Sequence, residues 1–337
     1  MKSDLTLILL LKGRENFTSR FLKYYFKNNI NYKLFIADGS NKKISSKIFN
    51  LIKKNPLITY KKFKKDKNFK TYYQKKLASL KIVKTKYIIM VSNDDFIIYS
   101  TLKKCMKILK KNNNLNGAGG SLFSFKLEKN KHNTYFINNI SLLYPSQSYM
   151  QNQTSNRVKF FLNNFRYTDN YILNRKNLIK SYEISSANFG NNISLKDCIT
   201  DLCNIINGKI KIINSPILFH QATEESDGSS RTNLFLENIK NKQFFRDFIK
   251  LIEIISNKTK IDKMYLFEKI YNNEMLPVFK NFIIKKEASL NEIVQMMNNK
   301  IKRRLGFKKI KKKKSNKYSN EVNKIKISIN EFLKNLN

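Results

Sequence analysis

The spacing of hydrophobic and polar positions changes period several times in the first third of the chain. Leu5–Leu11 is an apolar run broken only by Thr6, which predicts a strand buried on both faces. Phe17, Phe21, Tyr24 and Tyr25 then recur at i, i+4, i+7 and i+8, one face of a helix. Residues 34–37 form a second apolar strand closed by Asp38-Gly39-Ser40. Tyr73, Leu77 and Leu80 give another helical stripe, and Tyr87–Val91 is a third apolar strand that ends in Asn93-Asp94-Asp95. This β-α-β-α-β alternation predicts a parallel sheet covered by helices and joined by right-handed crossovers.

Further along the chain the pattern is less regular. A helix is predicted over 101–111, and Gly117-Ala118-Gly119-Gly120 then precedes apolar residues 122–125. That glycine run reads either as a turn into a strand or as the floor of an acceptor pocket. Residues 132–168, rich in Asn, Ser, Tyr and Gln, show no sustained period and read as a long loop carrying Tyr144-Pro145. Over 194–207, Leu195, Ile199, Leu202 and Ile206 share one helix face, with Asp197 and Asp201 one turn apart on the other. Those two acids suit either a solvated face or a site. Gly208 stops this helix, and extended segments at 209–213 and 217–219 lead to His220. The segment 224–232 reads as a loop placing Arg231 within reach of phosphate. Beyond it, Phe235, Ile239, Phe245, Phe248, Ile249 and Ile252 predict several helices, interrupted at Pro277. Val322, Ile325, Ile329, Phe332, Leu333 and Leu336 predict a final amphipathic helix, docked on the body or lying in a membrane interface.

Composition adds two constraints. An apolar fraction of 41 % over 337 residues fills the core of one sizeable domain with a smaller appendage, so a disordered chain is excluded. The 66 Lys and Arg against 24 Asp and Glu give a formal charge of +42, a field that attracts nucleic acid, anionic lipid or nucleotide phosphate. Lysine is spread along the chain together with Asn and Ile, as a biased coding composition would produce, so overall basicity does not by itself identify a partner. Local basicity is denser between Lys302 and Lys314, where it reads either as a solvated linker or as an anchor for an anionic membrane. Cys105, Cys198 and Cys203 lack a Cys-x-x-Cys pairing and read as core thiols of a reducing compartment. The apolar run at Leu5–Leu11 is too short to span a bilayer and no small-residue cleavage site follows it, so a cytoplasmic location is expected, with peripheral contact at the inner face of the cell membrane through the basic segment.

The chemistry follows from the strand ends. Parallel sheets bind ligands at the carboxyl ends of their strands. Lys12-Gly13-Arg14, Asp38-Gly39-Ser40 and Asn93-Asp94-Asp95 all fall on that edge, so three separated segments are expected to converge on one cleft. Adjacent carboxylates at the mouth of a buried strand suit a divalent cation and a phosphate.

Thr6-Leu7-Ile8-Leu9 with Arg14, Phe35 to Ser40, Val83 to Tyr87 leading into Asn93-Asp94-Asp95-Phe96, and the Gly208-Lys209 turn after an acidic helix together resemble the GT-A type nucleotide-sugar glycosyltransferases. The likeness is to a bacterial branch related to glycosyltransferase family 2 that carries an acid-acid-acid-Phe motif. It covers about residues 5–220. The resemblance implies a GT-A, Rossmann-like α/β fold with a mostly parallel sheet flanked by helices and a C-terminal helical extension. It also implies transfer of a sugar from a nucleoside diphosphate sugar to a hydroxyl of a glycan or lipid-linked glycan, in surface polysaccharide biosynthesis.

Residue by residue, the resemblance assigns Asp95 as ligand of a Mg²⁺ or Mn²⁺ ion. Asp94 either assists or holds the donor's ribose, and His220 is a late metal ligand. Gly13, Arg14, Asp38, Asn93 and Asp94 fall to the donor nucleotide, and Asp197 to the general base. Asn93 departs from the pattern, since an amide brings no charge to a cation. The implied division is 1–232 for the transferase domain, 233–300 for a helical region and 301–337 for a basic tail. Two other classes fit parts of the chain: a nucleic-acid binder using the basic surface, although no recognisable module and hence no specific nucleic acid is expected, and a non-catalytic membrane-surface factor on a degenerate transferase scaffold.

Overall fold

The structure is a computed structural model and describes residues 4–129, 134–144, 146–189, 192–222, 242–275 and 319–335. The N-terminal half forms as expected. β1 (Leu5–Leu11), β2 (Lys33–Asp38), β3 (Ile58–Lys62) and β4 (Tyr87–Val91) are mutually parallel in the order β3-β2-β1-β4. They are joined by α1 (Glu15–Lys27), α2 (Ser46–Lys53) and α3 (Phe69–Ile82). α2 and β3 carried no strong sequence signal. β3 exposes alternate residues, and only Ile58 of its five side chains is buried. β1 and β4 are buried along nearly their whole length, which is why they read as near-continuous apolar runs.

The second half of the sheet is mixed. β4 pairs antiparallel with β8 (Ile172–Asn174), which pairs with β6 (Leu115–Lys129). β6 runs parallel to β9 (Lys209–Gln221) and antiparallel to β7 (Tyr135–Tyr144), while the two-residue β5 (Phe96–Ile97) closes against β9. α4 (Tyr99–Lys111), α5 (Thr154–Asn163), α6 (Arg175–Asn188) and α7 (Ile193–Ile206) cover it. The architecture is the expected α/β sheet flanked by helices.

Three expectations need correction. The glycine run is not a turn: Gly117 to Gly120 lie inside β6, where a Cβ on Gly119 would collide with the Tyr171 ring, so small residues there serve close packing. Residues 132–168 are not one long loop, because β7 and α5 lie within them. β7 is partly solvent-facing, and Asn138, Asn139 and Ser141 interrupt its apolar residues, which hid its period. The face of α7 bearing Asp197 and Asp201 is not solvated, since both acids are at least nine-tenths buried.

α8 (Lys242–Thr259) and α9 (Lys263–Ile270) send Phe244, Phe248, Leu251, Ile255 and Leu266 into the same core as the sheet. α10 (Ser319–Lys334) docks on the body, burying Ile329, Phe332 and Leu333. Phe235, Ile239, Pro277, Leu336, Arg231, the 224–232 segment and the 302–314 basic cluster lie outside the described residues. No described helix is long and apolar enough to cross a membrane, and all three cysteines are buried.

Candidate active site at the strand ends

The turn after β1 is the hub. Gly13 and Arg14 both adopt positive φ, +87° and +62°. The second is costly for a residue with a Cβ and is held only because its surroundings fix it. The backbone N–H of Gly13 donates to Ser40 Oγ at 2.6 Å, joining the ends of β1 and β2. Asn93 Nδ2 donates to the Arg14 carbonyl (3.2 Å) and to Thr18 Oγ1 (3.1 Å), joining the ends of β1 and β4. The three segments predicted to converge do meet.

The two acids of the motif then diverge. Asp94 Oδ2 accepts from Arg14 Nη1 at 2.8 Å, and its carbonyl accepts from Arg20 Nη2 at 2.8 Å. Nε and Nη2 of Arg14 are shielded from solvent and have no hydrogen-bond partner among the described residues, an arrangement that costs free energy unless a ligand supplies acceptors. Burial lowers Arg20 to about 10, against the opposing pull of Asp94 and Asp95.

Asp95 takes different partners and meets His220 Nδ1 at 2.8 Å, with the Gln221 N–H also aimed at Oδ1 (3.4 Å). Asp95 is almost fully buried, whereas the imidazole is 41 % exposed, so the pair opens to solvent on the histidine side. Burial raises the Asp95 carboxyl against the lowering effect of His220, and the hydrogen bond to Asp95 raises His220. An oxygen and a nitrogen at this separation suit adjacent ligands of an octahedral cation, which typically takes one or two carboxylates and completes its shell with phosphate oxygens and water. Among the described residues no group of three or more His, Cys, Asp and Glu side chains gathers that could hold a metal ion; Asp95 and His220 offer two donors that a bound diphosphate and water would have to complete, and Asp94 commits one oxygen to Arg14.

Asp38 sits at the end of β2 with no exposed surface. Its Oδ1 accepts from Ser40 N (2.8 Å), and Oδ2 accepts from the Tyr60 hydroxyl (2.6 Å) and Lys62 Nζ (2.9 Å). Burial alone would raise this carboxyl, but these three partners outweigh it and leave it lowered. Its turn-closing role is thus fully developed, and Lys62 binds the Ser40 and Lys42 carbonyls as well.

A second pair escaped the sequence reading. Asp66 and Lys75 form a buried ion pair, and Lys75 Nζ also donates to the Leu11 carbonyl at 2.7 Å, the last residue of β1. Asp66 presses on Gly39 so closely that no Cβ fits there. Burial raises Asp66 and lowers Lys75, each opposed by the other. Among so many lysines, one more in α3 carried no signal. The only clue was a carboxylate just before a helix start.

α3 links this edge to α7. Tyr73 donates a hydrogen bond to Asp197, and Lys76 pairs with Asp169 at 2.9 Å. Asp201 accepts from the Thr168 N–H (2.9 Å) and hydroxyl (2.5 Å), and burial together with Asp169 pushes it well above the carboxylate range. Of the two α7 acids, Asp201 is thus locked into the fold. Lys196, beside Asp197, is lowered to about 8 by burial and by Lys70.

This fold recurs among solved structures. S. aureus TarS 1-349 superposes with a TM-score of 0.51 at 12 % identity, covering 87 % of this chain and 78 % of that one. The same protein in complex with UDP-GlcNAc gives 0.50 at 11 % identity, covering 85 % and 77 %. Against a longer TarS chain the match spans 41 % of that chain. At these identities the likeness establishes the fold. Neither a family model nor a curated protein sequence matches the chain.

Proposed function

We propose that this protein is a glycosyltransferase that moves a sugar from a nucleoside diphosphate sugar to a hydroxyl acceptor. The observation that carries the reading is the Asp95–His220 pair at the carboxyl end of β4, facing the Arg14–Asp94 contact across one strand end. A diphosphate needs positive charge where its leaving group forms. Arg14, whose Nε and Nη2 have no partner among the described residues, and Arg20 supply it from the turn before α1 and from α1 itself. Asp94 orients the Arg14 guanidinium. A divalent cation held by Asp95 and His220 would add Lewis acidity at the same oxygens.

Asp66 and Lys75, beneath the β1 and β2 ends, suit the floor of the nucleotide pocket. Asp38 supports that floor through Ser40, whose hydroxyl fixes the Gly13 amide. Asp197 is the group we assign to take the acceptor proton, with Tyr73 orienting its carboxylate. Because the similar TarS fold has been seen with UDP-GlcNAc, uridine nucleotides are the first donors to try. A glycan or lipid-linked acceptor in surface polysaccharide synthesis, brought to an anionic membrane by the basic 302–314 segment, completes the reading.

The test is hydrolysis or transfer with a panel of nucleoside diphosphate sugars, with and without Mn²⁺. Asp197→Asn should lower kcat by about 10²-fold or more while leaving donor affinity near wild type, as loss of a general base does. Unchanged turnover in that variant would remove Asp197 from the mechanism.

A further inference from the structure

Phe96 follows Asp95, Phe219 precedes His220, and the two phenylalanines are register partners in the antiparallel β5–β9 pair. Successive strand side chains point to opposite faces, so the residues that carry the candidate site on one side carry rings on the other. Those rings do not enter the main core. They belong to a separate apolar cluster that Ile329, Phe332 and Leu333 of α10 close from outside. Phe332 lies edge-on to Phe96, with ring centroids 6.1 Å apart, and to Tyr24 at 5.2 Å. Tyr24 in turn packs on Phe96 at 5.0 Å and donates from its hydroxyl to the Ile97 carbonyl at 3.3 Å. A polar contact fixes the docking, since Asn330 Oδ1 accepts from the Ile137 N–H of β7 at 2.7 Å.

β5 is only two residues long, and beyond its ladder the Ile98 N–H to Ile217 carbonyl bond (2.9 Å) is what continues the pairing. So short a pair has little stability of its own and takes it from packing. We infer that α10 is a positioning element for the candidate site: by seating Phe332 against Phe96 and Tyr24 it holds β5 in register with β9, and so keeps Asp95 and His220 opposed. The purpose of that alignment rests on the transferase reading; the alignment itself does not. Because the cluster is distinct from the main core, its loss is felt locally and the parallel half of the sheet keeps its protection.

The experiment compares the full chain with Phe332→Ala and the conservative Phe332→Leu. Amide exchange is read at Ile98, whose N–H bridges to β9, and at Gln221, whose N–H faces Asp95, with β1 and β4 as internal references; UDP affinity in the presence of Mn²⁺ is measured alongside. In Phe332→Ala, exchange at Ile98 and Gln221 should rise at least ten-fold while β1 and β4 are unaffected, and UDP affinity should fall by a similar factor. Phe332→Leu should recover most of both. Exchange that is unchanged at Ile98 and Gln221, or that rises equally throughout the sheet, overturns the inference. A wild-type chain that binds no nucleotide defeats the transferase reading, and the exchange comparison then decides the positioning claim by itself.

Discussion

The three motif residues have three different jobs, and their partners explain why they are not interchangeable. Asn93 gives hydrogen bonds to a carbonyl and a hydroxyl oxygen, which a carboxylate cannot do, so its departure from an all-acid motif secures the Arg14 turn. Asn93→Asp should therefore cost about 1–3 kcal/mol in denaturant unfolding; a variant as stable as wild type would deny the amide this role. His220 is raised by its bond to Asp95, so the stability it contributes is fully present below its ordinary value near 6.5 and is lost as pH rises through the raised one. Burial raises Asp95 too, which gives the same sign. Asp95→Asn should flatten the decline in melting temperature above pH 6.5, and an unaltered slope would contradict the pairing. Asp94 and Asp95 were legible because acids interrupt an apolar strand, whereas the divergence of their side chains was not, because it depends on Arg14 and His220 arriving from distant segments.

At the scale of elements, legibility followed burial. β1, α1 and β4 announced themselves by period, while the Asp-bearing face of α7 stayed open between two readings because a buried polar face has the same pattern as a solvated one. Tyr73 and Thr168 cover that face, and Asn204 of the same helix donates to the Thr168 hydroxyl at 2.9 Å. The glycines of β6 were ambiguous for a related reason: permissive backbone and close packing call for the same residue. Gly119→Val would drive a side chain into the Tyr171 ring and should destabilise by about 1–3 kcal/mol, checked by thermal unfolding. Little loss of stability would mean the strand has room that the packing does not show.

For the whole molecule, a sheet with a parallel first half and a mixed second half lets one strand end bear both Asp-Asp and, across β5 and β9, a histidine more than a hundred residues away in sequence. That order was only half legible, because antiparallel β8 inserts between β4 and β6 on three residues. The site's own charges are paired at Arg14–Asp94 and at His220–Asp95, so on the transferase reading the net positive charge of the chain would serve donor capture rather than the chemical step. The most direct test of the central claim is calorimetric titration of UDP and UDP-sugars into the wild-type chain and Asp95→Asn, with Mn²⁺ and with chelator. Saturable binding that strengthens at least ten-fold with Mn²⁺ and loses that gain in Asp95→Asn is the predicted result. Absence of binding to any nucleoside diphosphate sugar, or a Mn²⁺ gain that survives in Asp95→Asn, would contradict it.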